Sequence, residues 1–231
     1  TSTTTVTGGT FTYDGSAHPA SVTVTGIGGL NISPAPVYSG ACSAAPVNVT
    51  DTPCTASYTF SGDANHTGST NTATITITPA TASVSVTGGT FAFDANPHPA
   101  TGFAYGVGGL SDTLLPAPTI TYTGSGSTSY GPSNVPPVAA GTYDVLASFA
   151  GNANYQSASA STTITISALK LTITADDKSM NFGDTDPAFT FQYSGFLGTD
   201  DASVLTQEPT CDVADPHTAV NNYPIVCSGG V

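Results

Sequence analysis

The residues of this chain with chemistry to offer are four cysteines, fifteen acidic side chains and four histidines. The cysteines fall as two close pairs, Cys42 with Cys54 and Cys211 with Cys227. Neither pair has CxxC spacing and His neighbours are lacking, so disulfide formation suits them better than zinc. The pairs lie in different segments, which favours the local bridges Cys42–Cys54 and Cys211–Cys227. The competing reading is four buried thiols, which the composition disfavours. Asp184, Asp186, Asp200 and Asp201 are oxygen donors of the kind calcium takes. Asp184-Thr185-Asp186 begins like an EF-hand loop but has no Gly at the sixth position and no terminal Glu. Asp at such places also caps turns through its own backbone. These four are weak calcium candidates, and no firm metal ligand emerges. His18 and His98 each precede proline and follow an aromatic-Asp turn, and read as structural turn residues. His66 and His217 lie in polar loops with no distinguishing context.

Catalytic patterns are missing. No Gly-x-Ser-x-Gly elbow occurs, and no carboxylate pair stands out as a glycosidase couple. Gly26-Ile27-Gly28-Gly29 is glycine-rich but opens no helix, so it reads as a turn or bulge and not a phosphate loop. The expectation is a protein that is not an enzyme and needs no cofactor.

Composition narrows the partners. The net charge is −13, with only Lys170 and Lys178 as fixed cations. A basic groove for phosphate cannot be built, so nucleic-acid binding is excluded. Attraction to an anionic membrane surface fails on the same sign. No apolar run is long enough to span a bilayer, so membrane insertion is not expected. Charged residues are 7% of the chain, and Ser, Thr, Gly, Asn and Pro do the solubilising. With the cysteine pairs, that points outside the cell. Asn31, Asn48 and Asn65 each head an Asn-x-Ser/Thr sequon and are possible glycosylation sites.

These residues are positioned by repeated elements. Val6-Thr7-Gly8-Gly9-Thr10-Phe11 returns 80 residues later as Val86-Thr87-Gly88-Gly89-Thr90-Phe91. The same offset carries Asp14 to Asp94, His18-Pro19 to His98-Pro99, and the turn at Ile27 to that at Val107. Phe60-Ser61-Gly62-Asp63-Ala64-Asn65 matches Phe149-Ala150-Gly151-Asn152-Ala153-Asn154 at an offset of 89. Two modules therefore share a start and an end, and the second carries nine extra residues between. Internal repetition of this kind outranks any single motif.

Apolar residues alternate with Thr or Ser at period two throughout, as half-buried strands do. Gly and Pro punctuate about every ten residues, which fits an all-β sandwich. Ile75, Ile77 and Pro79 hold one parity, whereas Ala82, Val84 and Val86 hold the other. A strand cannot change its core face midway, so a boundary falls near Ala80. The same flip places another near Ala168. The expected modules are 1–80, 81–168 and 169–231, joined by linkers of two or three residues into an extended, stiff array. The third has few residues left after Tyr223, so its last strand is expected to be missing or supplied by a neighbouring chain through β-strand addition. Residues 1–6 are the expected donor.

The third module resembles the MBG-type repeats of large bacterial surface proteins. The resemblance rests on Leu171-Thr172-Ile173-Thr174-Ala175-Asp176-Asp177-Lys178, on Phe182-Gly183-Asp184-Thr185-Asp186-Pro187, and on Tyr193-Ser194-Gly195-Phe196. Phe182 stands where such repeats often have Tyr. The first two modules resemble the bacterial immunoglobulin-like repeats found beside them, through Phe11-Thr12-Tyr13-Asp14-Gly15 with His18-Pro19, and Phe149-Ala150-Gly151-Asn152-Ala153-Asn154-Tyr155. These resemblances imply tandem immunoglobulin-like β-sandwiches in an extended rod. They imply a structural segment of an extracellular fibre or cell-surface adhesin stalk, and carry over no catalytic residue. The expected partners are other copies of the chain or adjacent repeats of one array. The alternative is a module that binds glycans or a host-surface protein through its loops. For that, residues 124–137 and the loop tyrosines Tyr130 and Tyr155 are the candidates.

Overall fold

Thr, Val, Ile and Tyr fill the alternating segments, and these residues fit a pleated, half-buried surface. The computed structural model, which describes residues 1–108, 116–213 and 219–230, is all-β. The chain divides into two units. The first comprises Thr1–Gly89, Pro99–Pro137 and Thr142–Ile164; the second comprises Thr90–His98, Val138–Gly141 and Thr165–Val231.

The first unit begins with the whole of the first repeat. Strand β1 (Ser2–Thr7) pairs antiparallel with β3 (Ser21–Gly26), which also pairs with β4 (Asn31–Ile32). Strand β2 (Gly9–Thr12) joins a different sheet, pairing parallel with β7 (Thr67–Thr78). That sheet continues through β6 (Cys54–Gly62) to β5 (Val37–Gly40). The two sheets share one core. Val6, Val22 and Val24 come from the first, and Cys54, Ala56 and Ile75 from the second. The period-two pattern set this: within β3 the buried residues are Val22 and Val24, with Thr between them.

The repeated Gly-Gly therefore has a definite job. Between β1 and β2 the chain changes sheets at Gly8, whose missing Cβ leaves room for the Thr74 carbonyl. Gly88 repeats this against the carbonyl of Thr163. Any larger residue would press on the backbone.

The second repeat follows the same order in its described residues; the place equivalent to β4 lies outside them. Strand β8 (Ser83–Thr87) pairs with β10 (Thr101–Tyr105), and β9 (Gly89–Ala92) takes the place of β2 in the order β11-β12-β13-β9. Here β11 is Thr119–Ser125, β12 is Gly141–Phe149 and β13 is Ala158–Ser167. On β12 the buried residues are Tyr143, Val145, Ala147 and Phe149, every second one. The nine-residue expansion folds back on β11: Tyr122 and Ser133 exchange backbone hydrogen bonds of 2.8 and 3.0 Å.

In the second unit, β14 (Thr172–Ala175) pairs with β15 (Phe191–Ser194), and β16 (Thr210–Val213) with β17 (Ile225–Ser228). Cys211 and Cys227 face each other directly in the β16–β17 register and are bonded, with Cα atoms 4.0 Å apart. In the first unit Cys42 and Cys54 are bonded, with Cα atoms 5.4 Å apart. Among the described residues no cysteine is free.

Candidate functional site

The junction of the first two repeats is built from both backbone and side-chain contacts, all of it inside the first unit. Its receiving end is the turn after β12. Asn152 Oδ1 accepts the N–H groups of Asn154 and Tyr155 at 2.9 and 3.0 Å, so the loop is a fixed Asx turn. The turn holds Asn154 and Tyr155 toward the first repeat. Ala80, just beyond β7, then enters as a one-residue strand. Its N–H donates to the Asn154 carbonyl at 2.9 Å, and its carbonyl accepts from Gln156 N–H at 2.8 Å.

Side chains extend the contact. Asn154 Oδ1 accepts the Val49 N–H at 3.0 Å, and its Nδ2 donates to Asn48 Oδ1 at 3.0 Å. Asn48 is itself anchored, since its backbone N–H and its side-chain Nδ2 both donate to Asp51 Oδ2. The Val47 N–H also donates to Asp51 Oδ2, and the backbone N–H groups of Asn48 and Val47 hold that carboxyl below its ordinary range. Tyr155 is only 5% exposed and packs with Ala80, Ala104 and Phe149. Its ring meets Tyr13 edge to face at 5.3 Å between centroids, and its hydroxyl accepts the Val107 N–H at 3.1 Å.

This corrects the expectation that Tyr155 is an exposed loop aromatic available to a glycan. Asn-rich surroundings read as a solvated loop, but the preceding repeat covers them. Tyr130 is half-buried; its hydroxyl donates to the Val135 carbonyl at 2.7 Å and its ring meets Tyr143. His66 also differs from its reading as a residue without context. It is held between Asp63 and the Ile27 carbonyl, with Nε2 2.7 Å from that oxygen. The Ile27 carbonyl, then Asp63, push its pKa above the ordinary histidine value.

His18 stacks on Phe11 at 4.4 Å and lies 3.1 Å from Asp14 Oδ1. His98 repeats this on Phe91 and Asp94, at 4.3 and 3.1 Å. Both occupy turns at equivalent places in the two repeats. His217 lies outside the described residues.

The calcium candidates are not brought together. Asp184 accepts from the Asn181 amide, and Asp201 caps a short turn by accepting the Ser203 N–H. Asp186 and Asp200 are exposed. Among the described residues no group of three or more His, Cys, Asp or Glu side chains could hold a metal ion. The sequons are placed differently from one another: Asn31 and Asn65 are exposed, whereas Asn48 is locked into the junction.

The β14–β17 segment, with its paired strands and its disulfide, coincides with one finding from comparison. Residues 171–231 match the MBG domain (YGX type). That domain is a repeat seen in bacterial surface proteins. No curated protein matches the chain, and no solved structure does. No helix among the described residues is long and apolar enough to cross a membrane.

Proposed function

We propose that this chain is a structural repeat segment of an extracellular fibre or cell-surface adhesin stalk, without catalytic activity. The observation that carries this reading is the Ala80–Asn154–Tyr155 junction. Two repeats are tied by backbone hydrogen bonds, a side-chain amide pair and a buried aromatic. A connection so closed resists bending and passes tension from one repeat to the next. Two disulfides and the MBG match of the last quarter support a surface location. The glycan-binding alternative loses its best aromatic, because Tyr155 is covered.

The test is labelling of intact source cells with an antibody to the full chain. Label on surface structures without permeabilisation is the expected result. Label that requires permeabilisation would overturn the reading. A glycan array with the full chain tests the alternative, and the expected outcome is no specific binding. For strand exchange, the proposed donor segment is already engaged, since Ser2–Thr7 pairs along its whole length with β3. Polymerisation through that segment requires its release from its own module.

A further inference from the structure

We propose that the end of the first repeat formed by Ile27, Asp63, Asn65 and His66 is a docking surface for the far end of another repeat of this type, joined ahead of Thr1. The inference rests on the array reading above and names the partner of one particular surface.

The argument is one of equivalence. At the offset of 89, Asp63, Asn65 and His66 take the places of Asn152, Asn154 and Tyr155; at the offset of 80, Ile27 takes that of Val107 and Thr1 that of Thr81. The local construction is the same. Asp63 Oδ1 accepts the N–H groups of Asn65 and His66 at 2.7 and 2.8 Å, as Asn152 does for Asn154 and Tyr155. Asp63 N–H donates to the His66 carbonyl at 3.0 Å, and Asn152 N–H to that of Tyr155 at 2.9 Å. The His66 ring donates to the Ile27 carbonyl, and the Tyr155 hydroxyl accepts the Val107 N–H, so both rings reach the same turn through different backbone groups. In the second repeat this end is covered by Ala80, Asn48, Val49 and Tyr13 of the first. In the first repeat no other repeat covers it: Asn65 is exposed and Ile27 is 73% exposed, while the His66 side chain keeps only 11% exposure.

The chemistry of the occupant follows. It must offer one extended residue with its N–H and carbonyl free, as Ala80 does. It must offer a backbone N–H to the Asn65 amide oxygen, as Val49 does to Asn154, and an aromatic edge to the ring, as Tyr13 does to Tyr155. The far end of a first-type repeat has all three. A separate copy of this chain does not present that end, because its own second repeat covers it.

Two measurements test this, both by amide hydrogen exchange. First, the full chain is extended by a second copy of residues 1–80 placed directly before Thr1. The Thr67 amide, equivalent to Gln156, is expected to exchange at least about tenfold more slowly than in the unextended chain, an effect the size of one hydrogen bond. Asn65→Ala should reverse it. A folded added copy with Thr67 unchanged would overturn the proposal. Second, the unextended chain carrying Asn152→Asp with Tyr155→His converts the occupied end into the uncovered one. Gln156 should stay protected in this variant and lose protection in Asn154→Ala. Equal loss in both would show that the Asp63–His66 version cannot dock. Gln156 also separates the two readings. If it exchanges freely in the unaltered chain, the closed junction and the stalk reading fall together. If it is protected while Thr67 is not, only the docking proposal falls.

Discussion

Asn48 and Asn154, 106 residues apart, join their side-chain amides at 3.0 Å and so fasten one repeat to the next. Asn154 also accepts the Val49 N–H. Removing it in Asn154→Ala leaves a half-buried N–H and an amide oxygen without these partners. The expected cost is about 1–3 kcal/mol, read as a lower denaturation midpoint in urea. The equivalent Asn65→Ala, at the uncovered end, should stay within about 0.5 kcal/mol of the unaltered chain.

The same relationship separates the three sequons. A glycan on Asn48 would replace one hydrogen of the Nδ2 that donates to Asp51 and would place a sugar in the half-buried junction with Asn154. Asn31 and Asn65 are exposed and carry no such conflict. Expressed in a glycosylating host, the folded chain should carry glycan at Asn31 and Asn65 and little or none at Asn48. Site-resolved mass spectrometry measures this. Full occupancy of Asn48 in folded material would contradict the junction geometry.

Gly8 and Gly88 mark where the chain passes from one sheet to the other. A Cβ at either would press on a backbone carbonyl, that of Thr74 or of Thr163, and backbone yields less easily than a flexible side chain. Gly8→Ala and Gly88→Ala are each expected to destabilise by about 1–3 kcal/mol, the scale of overpacking. Gly→Ala in an open turn lacks that clash, so Gly15→Ala, with nothing within 4 Å of the added carbon, should cost only its positive-φ strain. Thermal unfolding of the three variants compares the two costs.

Much of the fold was legible because burial in a sheet has a period of two. Val22 with Val24, and Ile75 with Ile77, announced the core face, and those residues are buried. The Val-Thr-Gly-Gly-Thr-Phe repeat was legible as a repeat, but its meaning was not. A strand that changes sheets through one glycine looks like a turn to any local reading. The junction was invisible for a related reason. Asn152, Asn154 and Tyr155 have the composition of a solvated loop, yet Ala80 and Tyr13 of the first repeat join Ala104 and Phe149 in burying the tyrosine. Its trace in the sequence was positional: His66 and Tyr155 occupy one place in the repeat yet differ in type.

Acid should weaken the chain through its turn carboxylates. The Ser16 N–H first, then nearby His18, lower the Asp14 pKa below its ordinary 3.8; the Asn96 N–H does this for Asp94. A lowered folded value means the stabilisation is present above the unfolded pKa and is lost as pH falls through the folded one. The acid limb should therefore begin below about pH 4. His66 acts oppositely. Its folded pKa is raised above 6.5, so its contribution is full below that value and fades as pH rises through the folded pKa. Melting temperature should decline as pH rises above 6.5, and His66→Gln should remove that decline.

The two disulfides make unequal demands on their surroundings. Breaking the Cys42–Cys54 bridge from either side releases the same 12-residue loop, about 3 kcal/mol on the chain-entropy estimate. The partners differ in burial. Cys54 is 0% exposed and sits in the shared core, whereas Cys42 packs at its edge. Cys54→Ser adds a hydroxyl to an apolar interior, a further cost of about 1–3 kcal/mol. Cys42→Ser should thus lower the guanidinium midpoint, and Cys54→Ser should lower it further. Cys211 and Cys227 are both half-buried on facing strands, so their serine variants should be equal to each other. If Cys42→Ser and Cys54→Ser matched as closely, the position of Cys54 between the two sheets would be refuted.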